Sequence, residues 1–143
     1  MTDLFLIAAI AGHRVAFRTA QIQSVIDLGA ITPAPATPAF VAGLAALRSR
    51  PMTVIDCAVS LDLAPTARVP AKALVVEEQG FLYALSVDAV EDVVWIDDTV
   101  DTLPAHMAPG WERAALGMVR VGEEMLLLID VVPVIRGPLA QAA

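Results

Sequence analysis

Cysteine is nearly absent. The 143-residue chain has one, Cys57, which excludes an internal disulfide framework. Its place just after an apolar run predicts a buried, unreactive thiol. Histidine is scarce too: His13 and His106 stand alone, with no second His, Cys or Glu at ligand spacing. No zinc, P-loop, dinucleotide-binding or Gly-x-Ser-x-Gly pattern occurs. No cofactor or metal is therefore expected. Long apolar runs are missing as well. The longest, Leu4 to Ala11, is far short of the ~20 residues that span a bilayer. It follows Asp3 without a basic region and so does not read as a signal peptide. A cytoplasmic protein without membrane insertion is the expectation.

Positive charge is lacking in one half. Residues 1–72 carry six Lys/Arg and four Asp/Glu, whereas residues 73–143 carry three and twelve. An acidic half argues against nucleic acid, which needs a basic footprint, and against an anionic membrane surface. It admits a basic protein partner, or simply a solvated face that keeps a greasy chain in solution. Hydrophobic residues make up 57% of the chain, above the usual ~45–50%, and Ala and Val dominate them. The core should be built of small side chains.

What is present is a repeat. Gly43 to Asp56 holds two apolar segments around a polar tip, Arg48-Ser49-Arg50, and reads as a hairpin. Gly117 to Asp130 repeats it: Gly43 falls on Gly117, Leu47 on Val121, Met52 on Leu126 and Asp56 on Asp130, all 74 residues apart. Upstream, Gly12 to Leu28 resembles Gly80 to Ile96 at an offset of 68, with Ile22 on Val90 and Val25 on Val93. Six extra residues in the second copy fit the segment His106 to Trp111, a loop by its Pro109-Gly110 pair. The expected units are residues 12–64 and 80–136, with a linker at about 64–71 marked by Pro65 and Pro70. A repeat found early fixes the architecture.

Short strands every 8–12 residues indicate small β-barrels, here two units of about five strands sharing one core. The strand Leu4–Ala11 precedes the first copy as Lys72–Glu77 precedes the second, so strands can exchange between barrels. A few helical turns punctuate them. Thr19 reads as an N-cap before Gln21–Val25, and Ser86 or Asp88 before Ala89–Val93. Pro38 opens a turn over Ala39–Ala42. Asp56 caps a short helix Cys57–Leu61, and Val131–Ile135 forms a terminal turn that tolerates Pro133 only in its first turn. Asp97 to Pro104 is acidic and extended. Ala105 to Ala115 is a loop with one helical turn and with Trp111 as a half-buried lid. Residues after Gly137 should fray.

Catalysis has little to stand on. Asp56 and Asp130 form a conceivable carboxylate pair, but their equivalent places in the repeat argue for equivalent helix caps. A small enzyme with Asp56 or His13 as base is the weakest reading. Arg48, at a strand end, either sits in solvent or grips a partner's carboxylate or backbone.

The chain resembles the CheW family of chemotaxis coupling proteins over almost its whole length. The most specific match is Thr37-Pro-Ala-Phe-Val-Ala-Gly-Leu, followed by Ala45-Ala-Leu-Arg-Ser-Arg and Val54-Ile-Asp56. Ser86-Val-Asp-Ala-Val-Glu-Asp-Val and Gly117 to Asp130 extend it. The resemblance implies two SH3-like five-stranded barrels around a shared hydrophobic core. It implies a non-enzymatic adaptor joining the cytoplasmic tips of chemoreceptors to a CheA-type histidine kinase, in arrays at the inner membrane. Carried over by position, a receptor groove would include Ile22, Gly43, Leu47, Arg48 and Val87. The chain departs from the family pattern where Ala46 replaces an asparagine, Ser49 a glycine and Thr53 a proline. The alternative is a divergent SH3-like scaffold serving a specialised partner outside chemotaxis.

Overall fold

In the computed structural model, residues 2–63, 72–97, 103–104 and 106–137 are described. The chain is mostly strand. In order it forms β1 (Thr2–Ile10), β2 (His13–Arg18), β3 (Ser24–Asp27), β4 (Val41–Leu47), β5 (Arg50–Asp56), α1 (Cys57–Ser60), β6 (Lys72–Glu78) and β7 (Phe81–Val87). It continues with β8 (Ala89–Asp97), α2 (Pro109–Ala114), β9 (Ala115–Val121), β10 (Glu124–Ile129) and α3 (Val131–Arg136).

Two five-stranded sheets result. Sheet A runs β8-β1-β2-β10-β9 and sheet B runs β3-β6-β7-β5-β4. Each takes strands from both halves of the chain. Hairpin β1-β2 sits among β8, β9 and β10, and hairpin β6-β7 sits among β3, β4 and β5. In both sheets the one parallel pairing joins strands of the two halves, β2 with β10 and β5 with β7, and the antiparallel pairs β1-β8 and β3-β6 join them a second time. Among the described residues no ladder joins the edges β8 and β9, or β3 and β4. The sheets are therefore open, an arrangement still consistent with an SH3-like fold.

The sequence offsets reappear in the ladders. Val41 pairs with Ile55 and Gly43 with Val54, with a bulge at Ala42. Ala115 pairs with Ile129 and Gly117 with Leu128, with a bulge at Leu116, 74 residues on. A bulge adds one unpaired residue and sharpens twist, so it recurs where the same bend is required. Turns recur as well. Ala11-Gly12 and Gln79-Gly80 have nearly the same left-handed φ values, +50° and +82° against +52° and +85°. Two left-handed central residues make the turn that matches strand twist.

Alternation along each strand separates three cores. On β7, Leu85 and Val87 face the layer between the sheets, while Leu82 and Ala84 face the other side of sheet B. The inter-sheet layer also takes Phe17 and Ile10 from sheet A, Leu74 and Val76 from sheet B, and the helices' Leu61, Trp111 and Val134. Smaller clusters line sheet A around Phe5 and Leu128, and sheet B around Met52 and Val75. The shared core expected from the sequence is this middle layer.

The three helices gather on it. Asp56 caps α1 through Val59 N–H (3.3 Å), and Asp130 caps α3 through Val132 N–H (3.1 Å). Pro133 is the third residue of α3, where its missing N–H is harmless. Ser60 Oγ donates to the Val134 carbonyl at 2.6 Å. The buried Arg113 guanidinium donates to the Ser60 carbonyl and lies 3.6 Å from Asp62. Gly110 lets α2 touch α1: a Cβ there would stand 1.6 Å from the Leu61 carbonyl oxygen.

Four local expectations are corrected. Ala89–Val93 is no helix. It opens the nine-residue β8, whose β-branched run pairs along all of β1, so ladder pairing outweighs the capping signal of Ser86 and Asp88. Asp88 Oδ2 instead accepts from Gly12 N–H at 2.9 Å. Thr19 does not cap. Its hydroxyl donates to the Leu4 carbonyl, the turn shortens to Thr19–Gln21, and β3 starts at Ser24. Ala39-Phe40 is a turn closed by Val41 N–H on the Pro38 carbonyl, and Val41 already belongs to β4. Trp111 is no half-exposed lid; it lies in α2 with 8% exposure, because α2 seats it in the shared core. The linker expected over residues 64–71, most of the acidic stretch 97–104, and the residues after Gly137 lie outside the described residues.

Candidate interaction surface

Sheet B presents the residues singled out in the sequence, in different environments. Arg48 and Ser49 form the β4-β5 turn, both left-handed at +51° and +69°. A two-residue turn of this kind favours Gly and Asn, so two residues bearing Cβ hold it at some strain. Arg48 is exposed, and it makes no ion pair or hydrogen bond among the described residues. Arg50, by contrast, is tied to Glu77 at 3.3 Å. Leu47 is half-buried against the Met52 cluster. Gly43 is buried beside Thr32, whose bridge to Leu44 lays the connector along the edge of β4. A Cβ at Gly43 would lie 2.4 Å from the Thr32 carbonyl oxygen, and its φ of +151° suits glycine alone.

Ile22 and Val87 lie apart from these. Ile22 follows the Thr19–Gln21 turn and packs against the shared core. Val87 ends β7 fully buried in that core. The β5-β7 register sets Asp56 beside Ser86 and Met52 beside Leu82. Arg48 and Val87 are thus at opposite ends of sheet B, about six residues or ~20 Å apart along the strands. The structure brings Gly43, Leu47 and Arg48 together on one edge strand and its turn, and leaves Val87 without an exposed face.

The candidate reactive groups are otherwise engaged. Asp56 and Asp130 are caps. His13 packs edge-on against Trp111, ring centroids 5.5 Å apart. Burial pushes the Cys57 thiol well above its ordinary range, with the carboxylates of Asp56 and Asp88 adding to the shift, so it stays neutral and unreactive. Its backbone N–H donates to Ser86 Oγ. Among the described residues no group of three or more His, Cys, Asp and Glu side chains gathers as a metal site. No helix is long and apolar enough to cross a membrane.

Sheet A carries a cleft of about 390 Å³ where β2 and β10 diverge. Val15, Met118, Met125 and Leu127 make it apolar, and Trp111 and His13 form an aromatic side. At its rim Arg14 bridges Glu91 of β8 (2.8 Å) and Glu124 of β10. Those two carboxylates hold the guanidinium even further above its ordinary range. The sequence reading missed the exposed large apolar residues: Phe81, Leu44 and Val25 on sheet B, and Val93, Trp95 and Leu116 on sheet A. Strand alternation could have flagged Phe81, which shares the face of Tyr83 and Leu85 but stands at the strand's first position.

Comparison with known proteins agrees with this architecture. The chain is 28% identical over 114 residues to a protein of Rhizobium etli named probable chemotaxis protein CheW, covering 76% of this chain and 74% of that one. The crystal structure of the scaffolding protein TtCheW from Thermoanaerobacter tengcongensis superposes with a TM-score of 0.79 at 23% identity, over 92% of this chain and 86% of that one. The CheW-like domain family matches residues 4–138. With nearly the whole chain matched, from β1 through α3, the protein belongs to the CheW-like domain family.

Proposed function

We propose that the chain is a non-enzymatic adaptor that couples the cytoplasmic tips of chemoreceptors to a CheA-type histidine kinase, in arrays beneath the inner membrane. The observation that carries this reading is Arg48. It stands free on a strained turn, at the position where the sequence follows the family's Leu-Arg pattern. A guanidinium with no partner among the described residues is available for a bidentate grip on a carboxylate. Around it, Leu47 supplies apolar contact. Gly43 fixes the edge strand's course, while Ile22 and the buried Val87 pack in the shared core, away from this turn. The capping roles of Asp56 and Asp130 and the inertness of Cys57 support a role without chemistry.

The mechanism is bivalency. Two weak surfaces on one rigid body bind receptor and kinase, and effective concentration within the array supplies the missing affinity. Signalling then passes as a change in packing among the three proteins. The test is co-sedimentation of the protein with receptor-containing membranes and the host's chemotaxis kinase, wild type beside Arg48→Glu. The expected result is a ternary complex that the variant loses while keeping its fold. Kinase binding without receptor would make the chain a decoy, and binding to neither would assign it to a different partner.

A further inference from the structure

Beyond the coupling role, the two sheets pose a question of their own. Each carries, on its face toward the inter-sheet layer, a shelf beyond the edge of the shared core. In sheet A one cross-strand row is Met118, Leu127, Val15 and Ala8, and beyond it lie the pairs Arg120 with Met125 and His13 with Ile10. In sheet B the same row is Leu44, Thr53, Tyr83 and Val76, and beyond it lie the pairs Ala46 with Pro51 and Phe81 with Glu78. Position by position they are the same surface, 74 or 68 residues apart, and Phe81 stands where His13 stands.

Their surroundings differ. On sheet A the six-residue insertion builds α2, and Trp111 comes down edge-on to His13. On sheet B the connector between β3 and β4 forms no helix. It runs beside β4 instead, held by the Thr32–Leu44 bridge. Phe81 is left 67% exposed and Leu44 44% exposed; at the matching positions of sheet A His13 is exposed as well but meets Trp111, and Met118 is half-buried. An exposed phenylalanine and leucine on one shelf cost solvation, and contiguous apolar surface of this kind marks a contact site. The second repeat shows what seats there: one short helix with an aromatic side chain set against the strand that bears position 81.

We propose that the sheet B shelf of Leu44, Thr53, Phe81 and Tyr83 docks a short helix of a partner protein, with an aromatic side chain placed edge-on to Phe81 as Trp111 is to His13. Edge-to-face aromatic pairs add to the burial of their area, and Leu44 and Tyr83 complete the seat. The helix's remaining side chains face solvent or the partner's own body. This surface lies on β7 and on the same two strands, β4 and β5, that the Arg48 turn joins.

The test uses the isotope-labelled full chain and a peptide of residues 106–116, which holds α2, followed by amide shifts. An isolated helix this short is marginal in water, so binding is weak, saturating at about millimolar peptide. Shifts at Leu44, Thr53, Phe81 and Tyr83, lost with Phe81→Lys and lost with a peptide in which the tryptophan is alanine, would establish the seat. No shift at millimolar peptide would overturn it, as would shifts confined to sheet A, where the peptide merely competes with α2. Sedimentation of wild type and Phe81→Lys adds a further arm. Dimerisation lost in the variant would make the shelf a contact between copies and overturn the partner helix.

Discussion

Sheets A and B share strand order, bulge and the turn of the hairpins β1-β2 and β6-β7, yet sheet A has its outer shelf partly closed by α2 and sheet B does not. The closed side hides a tryptophan in the core. The bare side exposes a phenylalanine and carries the free Arg48 on its β4-β5 turn. The two sheets thus keep one backbone geometry and differ in what covers their faces. The sheet A shelf became part of the core's wall, and the sheet B shelf stayed open to solvent.

The largest effect that would break this contrast is at the aromatic pair. Trp111→Ala should cost about 3–5 kcal/mol, as removal of a buried aromatic does, whereas Phe81→Ala should stay within ~0.5 kcal/mol. Denaturant unfolding of the two variants measures both. Equal losses would mean that Phe81 is as structural as Trp111. Equivalent helix caps should respond equally. Asp56→Ala and Asp130→Ala are each expected to cost ~1 kcal/mol. A loss at one and none at the other, read from thermal melts, would show that the repeat's symmetry stops at the helices. The smallest effect belongs to Arg14, whose ion pairs with Glu91 and Glu124 have no counterpart at Leu82 in sheet B. Arg14→Gln should lower the melting temperature slightly at low salt and not at high salt, because exposed pairs are screened. A drop that survives high salt would give Arg14 a packing role.

Most of the architecture was legible because it is periodic. Two anchored blocks at offsets of 74 and 68 point to paired hairpins, and Asp56 and Asp130 announce their helices by standing just after apolar strands. The misread segments are those where local signals compete with partners far along the chain. Ala89–Val93 carries helix-start residues, yet β1 offers it a complete ladder, and pairing prevails. Trp111 sits in a stretch that reads as a loop by Pro109-Gly110. Its burial depends on Gly110 meeting Leu61, a contact between segments roughly fifty residues apart. The surface was less legible than the fold. Arg48 stood out because it is charged at a strand end. Phe81 did not, because a phenylalanine that opens a strand looks like core until the cover over that face is known.

The reciprocal placement of the two hairpins has a consequence for how the chain comes off the ribosome. When β5 has emerged, sheet A has only β1 and β2, and sheet B lacks its two central strands. Neither sheet can form until the second half arrives, and sheet A waits for β10, next to last of all the elements. The nascent first half is thus a set of unpaired apolar edges, open to proteases and chaperones. A chain cut short before β6 would complete neither sheet, whereas one cut before β9 would hold all five strands of sheet B and only β8, β1 and β2 of sheet A.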